Sequence, residues 1–355
     1  MRIGIPRETK EGERRVALGP AEVAILAADG HAVCVERGAG AGIGADDAHY
    51  EAAGARIVSA ADAWTADLVV KVKEIQLGEL ARVEAGPVLF SFQHLAGEPQ
   101  ATRALASRGA SAIAFELVRD ERGRYPLLAP MSAIAGRMAV TEARRILGRA
   151  PAQVLVLGAG HAGLAAAEAA RRLDAQVTVL TRSEASRDAA RARLGPAVEC
   201  ALASPAAVER SALAADLVVG AVFVPGTPTP KLLPRALVRR MRRGAVIADV
   251  SIDAGGVAET SRPTTHAQPT YVEEGVVHYC VANIPAGDPA ASAAALGEAL
   301  LPFVRRLAAR GIEAALREDA ALRSAVVLWR GAVSHRGIAE EAGLPYTPIF
   351  ALATP

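Results

Sequence analysis

Four polar side chains stand just past apolar runs, where an open α/β sheet leaves its ligand sites. Glu13-Arg14-Arg15-Val16-Ala17 follows the first run by a loop, and a guanidinium at Arg15 can grip a carboxylate through two parallel hydrogen bonds. Lys71-Val72-Lys73-Glu74 ends another run. The two-residue period of a strand sends Lys71 and Lys73 to one face, where an ammonium can polarise a carbonyl oxygen. Phe90-Ser91-Phe92-Gln93-His94-Leu95 places an imidazole, which titrates near neutral pH, beyond a third run. Val246-Ile247-Ala248-Asp249-Val250-Ser251-Ile252-Asp253-Ala254-Gly255-Gly256 carries two acids, and Asp253 sits beside paired glycines that admit close backbone approach. A cation for a carboxylate, an acid/base near the reacting carbon and exclusion of water are what redox chemistry on a small polar molecule requires. Each residue also has a plain reading: a surface arginine, a solvated strand end, a structural histidine, a turn-capping acid.

The partner of such chemistry is written in Val154-Leu155-Val156-Leu157-Gly158-Ala159-Gly160-His161-Ala162-Gly163. An apolar strand runs into Gly-x-Gly-x-x-Gly and an alanine-rich helix follows, the context that the dinucleotide fingerprint needs. Gly158 permits the turn, Gly160 lets a pyrophosphate approach, and Gly163 lets helix and strand pack. The N–H groups of His161, Ala162 and Gly163 then favour phosphate. Gln176-Val177-Thr178-Val179-Leu180 reads as the next strand, with Thr181-Arg182-Ser183 after it. An NAD site usually places an acid there, roughly 20 residues past the glycines, for the ribose 2′-OH. Hydroxyls and a guanidinium suit a 2′-phosphate instead, so NADP(H) is expected in preference to NAD(H), which remains possible. Ala221-Val222-Phe223-Val224-Pro225-Gly226 and Cys280-Val281-Ala282-Asn283-Ile284-Pro285 also follow strands. They read as walls and an amide contact around a nicotinamide ring, or as ordinary turns.

These residues need a scaffold, and the pattern supplies two. The N-terminal stretch alternates strands (3–5, 32–36, 56–58, 68–72, 88–92, 111–115) with helices from Pro20, Asp46 and Pro99. The βα alternation predicts a doubly wound parallel sheet. A long helix is expected from Ser132 to about Leu147, then strands at 154–157, 177–180, 217–220, 245–249 and 276–282, then a second long helix, Ala291–Arg310. The last segment offers helices but no run of strands that could form a separate sheet, and is expected to pack back on the first domain. The fold class is therefore α/β: two doubly wound Rossmann-like domains separated by a cleft. The nucleotide domain (131–289) is inserted in a discontinuous substrate domain (1–130 plus 290–355). With 355 residues there is room for both. A net charge of +2 gives no strong field for nucleic acid or a membrane surface. Cys34, Cys200 and Cys280 have no metal-ligand spacing and predict no metal site. No signal peptide or membrane span is read, so a cytoplasmic protein is expected.

Together the segments resemble the alanine dehydrogenase family, whose fold is shared by the nucleotide-binding subunit of proton-pumping transhydrogenase. The matching pieces are Ile3-Gly4-Ile5-Pro6-Arg7-Glu8-Thr9-Lys10, Arg15-Val16-Ala17, Lys71-Val72-Lys73-Glu74, His94-Leu95, Pro126-Leu127-Leu128-Ala129-Pro130-Met131-Ser132, Gly158-Ala159-Gly160, Ile252-Asp253-Ala254-Gly255-Gly256, Ser261-Arg262-Pro263-Thr264-Thr265 and Cys280 to Pro285. The resemblance implies that Arg15 holds the substrate carboxylate, Lys73 binds the keto or imine end, His94 is the acid/base, and Asp253 helps orient water or ammonia. It places Met131 beside the substrate, and Ser132 with Ala221, Val222 and Asn283 along the cofactor. The implied reaction is reversible oxidative deamination of L-alanine or a related L-amino acid to the 2-oxo acid, or reduction of the corresponding imine, in a homo-oligomer. Three departures accompany it. Thr181-Arg182 replaces the family's acid, Ala133 stands where the family has a glutamate, and only Gly148-Arg149-Ala150-Pro151-Ala152 replaces a glycine-rich extension. Substrate side chain and oligomeric state stay open. Hydride exchange between nucleotides, a non-catalytic NADP(H) sensor and a cyclising lyase remain as alternatives.

Overall fold

A computed structural model of the chain describes residues 1–223 and 228–350. It divides into two compact units, Met1–Pro130 with Asp288–Pro355, and Met131–Gly287. The chain re-enters the first unit at Asp288, whose carboxylate caps the helix Pro289–Arg310 by accepting from the Ala291 N–H.

In the first unit β1 (Arg2–Ile5), β2 (Ala32–Glu36), β3 (Arg56–Val58), β4 (Leu68–Val70), β5 (Val88–Ser91) and β6 (Ser111–Ala114) pair in parallel in the order β3-β2-β1-β4-β5-β6. The order reverses between β1 and β4, the point at which an open α/β sheet places its ligand crevice. The apolar strands β4 and β5 are buried throughout, as expected of strands covered on both faces. Gly4 explains how tightly the sheet is covered. A Cβ at that position would lie 1.9 Å from the carbonyl oxygen of Ala63, so the helix Ala60–Trp64 rests directly on the backbone of β1.

The second unit repeats the plan. β7 (Gln153–Leu157), β8 (Gln176–Thr181), β9 (Glu199–Leu202), β10 (Leu217–Gly220), β11 (Val246–Asp249), β12 (Thr270–Glu273) and β13 (Val276–Tyr279) form a sheet in the order β12-β13-β11-β10-β7-β8-β9. Only β12 runs antiparallel. The order reverses between β7 and β10. One apolar layer joins the sheet to the helices Leu128–Leu147 and His161–Arg171, and the other to Pro205–Ala214 and Arg235–Val238.

The two-domain α/β class is therefore the one expected, with corrections of detail. Among the described residues the C-terminal segment forms no separate sheet and adds two strands to the first: β14 (Val326–Trp329) pairs antiparallel with β6, and β15 (Ala332–Val333) with β14. Their turn is Arg330-Gly331, with φ of +51° and +83°. It does the work of an Asn-Gly hairpin turn with a residue that does not announce one. β12 joins β13 through Glu274-Gly275, also at positive φ, and β9 is a short edge strand. The long helix begins at Leu128, not Ser132. β4 and β13 stop at Val70 and Tyr279, so Lys71, Lys73 and Cys280 lie in the loops beyond.

Replacing Gly4 by alanine forces Ala60–Trp64 off the sheet. Urea unfolding of Gly4→Ala is expected to show a loss of at least about 2 kcal/mol, at the upper side of overpacking effects. A loss under about 0.5 kcal/mol contradicts the close approach.

Candidate active site

In the first unit the site is built from loops after β1, β4 and β5. The Arg15 guanidinium is clamped by Glu13: Nε donates to Oε1 at 2.8 Å and a terminal nitrogen to Oε2 at 2.5 Å. Both side chains are almost wholly buried. A charged pair held this way is fixed in orientation, which a carboxylate-binding arginine needs. Lys71 has a different fate from Lys73. It is fully buried, donates to Glu79 Oε2 at 2.8 Å and to the Glu74 carbonyl at 3.3 Å, and has Glu8 at 3.4 Å. It belongs to the support. Lys73 is also buried, its side chain 11% exposed, but among the described residues its ammonium has only Glu74 Oε2 as an ion-pair partner, at 3.9 Å. Burial lowers the Lys73 pKa, with Lys10 and Arg15 acting the same way against Glu74 and Glu13. Burial also raises Glu74, but the hydrogen bond from Lys10, 2.5 Å long, and the charge of Lys73 outweigh it and hold the acid at about 2. Glu74 is thus a permanent anion that leaves Lys10 and Lys73 with one unmatched positive charge.

His94 follows β5 in a left-handed conformation, φ +47°. Such a conformation is strained for a non-glycine residue. The Glu116 carboxylate holds it by accepting the N–H of His94 at 2.7 Å and that of Gln93 at 3.1 Å. The ring stacks on Phe92 with planes 10° apart and reaches solvent at its edge. The protein mass around it lowers its pKa, Glu116 opposes that and Lys73 adds to it, so the imidazole is neutral at pH 7. Arg15, Lys73 and His94 thus share one electrostatic neighbourhood. Glu116 was not singled out in the sequence, although it too is a polar residue just past an apolar strand. Glu74 Oε2 and Gln93 Oε1, in the same loops, are buried acceptors without a hydrogen-bond partner among the described residues.

The second unit carries the glycine loop and its neighbours. Gly158 has φ +105°, and a Cβ there would sit 2.2 Å from the Ala221 carbonyl oxygen. A Cβ on Gly163 would sit 1.9 Å from the Gly158 carbonyl oxygen. Gly160 differs, because nothing of the protein lies within 4 Å of its added Cβ. Its φ and ψ, −77° and −174°, are open to any residue. Neither packing nor conformation requires glycine there, and the cleared space suits a pyrophosphate. Gly160 also brings no capping side chain to the helix His161–Arg171, a 2.9 Å bond running instead from the Leu164 N–H to its carbonyl. A helix N-terminus without a side-chain cap is suited to an anion. Gly136, a lone glycine inside the helix Leu128–Leu147, lets that helix touch the Ala162 carbonyl; a Cβ would come within 2.0 Å. Only its interruption of a helical run could have marked it.

Around this loop, Thr181 is buried at the end of β8 and Arg182 is exposed. The Ser183 hydroxyl is engaged in capping the helix Glu184–Leu194, accepting from the Ser186 N–H. Val222 is tethered by its N–H to the Ser251 hydroxyl at 2.8 Å. Phe223 is exposed, and Val224, Pro225 and Gly226 lie outside the described residues. Asp249 is completely buried and fastens the loop after β11, accepting from Val257 N–H (2.7 Å), Ser251 N–H (3.2 Å) and Ser261 Oγ (2.6 Å). Burial raises its pKa against those bonds. Asp253, at the tip of that loop, is exposed. Asn283 has φ +59°, and His266 Nε2 lies 3.1 Å from its carbonyl oxygen. Met131 is buried and Ser132 half-buried in the first turns of the long helix. Among the described residues no His, Cys, Asp and Glu group could hold a metal ion, and no helix is long and apolar enough to cross a membrane.

Since the protein itself leaves the space at Gly160 open, Gly160→Val is expected to keep the wild-type unfolding midpoint while weakening NAD(P)H binding at least about tenfold, a 1.4 kcal/mol loss. Fluorescence titration beside thermal melting checks both. Unchanged nucleotide affinity contradicts the assignment.

Comparison with known proteins bears on the whole chain. Residues 4–135 match the model for the alanine dehydrogenase/PNT N-terminal domain, and residues 129–336 that for the C-terminal domain. An alanine dehydrogenase of Halomonas elongata is 42% identical over 99% of this chain and all of its own length. One of Mycobacterium tuberculosis is 42% identical over 98% of both. Among solved structures, an L-alanine dehydrogenase superposes with a TM-score of 0.92 at 39% identity, covering 96% of this chain and 99% of its own. A transhydrogenase from Sinorhizobium meliloti reaches 0.83 at 29% identity, covering 94% and 99%. With both domain models matched in order and relatives aligned from end to end, the chain belongs to the alanine dehydrogenase/PNT family.

Proposed function

We propose that the chain is an amino-acid dehydrogenase that interconverts L-alanine, or a related L-amino acid, with its 2-oxo acid and ammonium, using NADP(H) in preference to NAD(H). The observation that carries this reading is the joint presence of Arg15, Lys73 and His94 at the strand ends of the first unit. A fixed guanidinium grips the substrate carboxylate, and the Lys73 ammonium, whose carboxylate partner stands 3.9 Å off, receives the carbonyl oxygen. An imidazole that is neutral at pH 7 takes a proton from the amine or the carbinolamine hydroxyl in deamination and returns it in the reverse direction. The unmatched positive charge of the Lys10–Glu74–Lys73 group suits a monoanionic substrate. Asp253 orients the water or ammonia, and Met131 lines the substrate.

Gly158, Gly160, Gly163 and the N–H groups of His161 and Ala162 would hold the pyrophosphate. Ser132, Ala221, Val222 and Asn283 would line the rest of the nucleotide. When bound, the nicotinamide supplies the hydride donor or acceptor. No acid stands after β8 to take the 2′-OH, while Thr181 and Arg182 offer a hydroxyl and a cation to a 2′-phosphate. A cytoplasmic location and a homo-oligomer belong to the same reading. Reduction of an imine formed with a larger amine is a variant of it. The likeness to a transhydrogenase favours hydride exchange as a second reading, but exchange between nucleotides makes no use of Arg15, Lys73 and His94.

Two measurements test the proposal. His94→Ala is expected to lower turnover with pyruvate and ammonium by about 10²-fold or more while nucleotide affinity is kept, as loss of a general acid/base requires; near-normal turnover removes His94 from that role. Arg182→Ala is expected to lower kcat/KM with NADPH by about tenfold and leave that with NADH unchanged, the loss of one charge-assisted bond. Equal losses with both nucleotides overturn the NADP(H) preference.

A further inference from the structure

Behind Lys73 lies a buried acid to which the mechanism gives no role. We infer that Glu8 is a positioning residue that holds the Lys73 segment through its backbone and, by taking up or releasing one proton, sets the charge under the 2-oxo acid. This rests on the amino-acid dehydrogenase reading and adds a pH control to it.

The geometry is specific. Glu8 follows β1, and its carboxyl group crosses to the loop after β4. There Oε1 accepts the Val72 N–H at 2.5 Å and Oε2 the Lys73 N–H at 3.4 Å. The side chain is 2% exposed. Its cation, Lys71 at 3.4 Å, is shared with Glu79, which is closer at 2.8 Å. Glu79 is itself fully engaged, accepting from Thr9 Oγ1 at 2.7 Å and Gln76 N–H at 2.9 Å. One buried ammonium thus faces two buried carboxyl groups, and Glu79 alone satisfies its charge. The other charges around Glu8 are Glu13, paired with Arg15, and the Lys73–Glu74–Lys10 group. Burial raises the Glu8 pKa to about 7, with Lys71 and the Val72 N–H opposing and Glu13 and Glu79 adding to it.

The sign follows. Below neutral pH the protonated acid leaves the Lys10–Glu74–Lys73 excess of positive charge intact. Above it, Glu8 carries a negative charge that cancels that excess, so a monoanionic oxo acid binds less well as pH rises. At an effective dielectric of about 20, a unit charge even roughly 12 to 17 Å from a monoanion changes its binding by about fivefold to tenfold.

The test is the pH profile of the pyruvate KM at saturating NADPH and ammonium, with the nucleotide Kd followed separately. In the wild type the KM is expected to rise about fivefold to tenfold through an inflection near neutral pH. Glu8→Gln, which retains an oxygen for the Val72 N–H but cannot ionise, is expected to remove that inflection and hold the low-pH KM throughout. Glu79→Gln makes Glu8 the sole counter-ion of Lys71 and is expected to move the inflection to lower pH, a result that does not require Glu8→Gln to fold. An inflection that persists in Glu8→Gln, stays in place in Glu79→Gln, or is missing from the wild type overturns the inference. Absence of any turnover with amino acids or oxo acids is a different outcome, the failure of the dehydrogenase reading.

Discussion

A charge taken out of water must be matched, and in the first unit this governs how the strand ends are built. Arg15 is matched by Glu13 and Lys71 by Glu79, while Glu74 alone stands against both Lys10 and Lys73. None of these pairs is a stabilising ornament, because the desolvation of buried ions offsets much of what their attraction contributes. Their value is geometric. Each partner fixes one polar head in a region otherwise made of apolar strands, and the loops after β1 and β4 are tied to one another through the same contacts. The arrangement explains why two lysines two residues apart differ so completely. Lys71 meets two carboxyl groups at 2.8 and 3.4 Å, while Lys73 has its counter-ion 3.9 Å away.

The second unit solves a different problem with a different means. Its strand ends must bring backbone close to backbone, and glycine rather than charge makes that possible. Gly136 and Gly163 stand where a methyl group would overlap a carbonyl oxygen, and Gly158 both overlaps one and turns through positive φ. The loop after β11 is the exception, where a buried acid takes over. Asp249 gathers three donors under the Gly255-Gly256 turn, and outside it the Lys231 ammonium donates to the carbonyl oxygens of Gly255, Gly256 and Ala258. Asp253 is carried at the tip of a loop fastened from both sides.

Much of this was legible in the residues. The βα alternation foretold both parallel sheets, because buried parallel strands are continuous apolar runs that need no tertiary information to be seen. The glycine loop was legible for the same reason, being local. The three polar candidates of the first unit could be picked out because each follows an apolar run, and the family resemblance supplied their roles. What escaped was non-local. Nothing in Lys71-Val72-Lys73 tells which lysine will find Glu79. Glu116 matters because of a backbone conformation at His94, twenty-two positions away. The strands β9, β12, β14 and β15, at or next to the sheet edges, are short, and two of their turns use arginine and glutamate at positive φ, where asparagine would have been the signal.

The hairpin of β14 and β15 has a bearing on how the molecule is made. Strand β14 completes a sheet whose neighbouring strand, β6, precedes it by a whole intervening unit; the Arg330 N–H meets the Ser111 hydroxyl across 219 positions of chain. A nascent polypeptide leaving the ribosome can assemble Met131–Gly287 from local pairings, but the first sheet keeps an open edge at β6 until translation has passed residue 333. Closing so long a loop is slow, and an unpaired edge strand is where growing chains associate wrongly. Biogenesis is therefore most exposed to aggregation late in synthesis, when one unit is finished and the other still awaits its last strands.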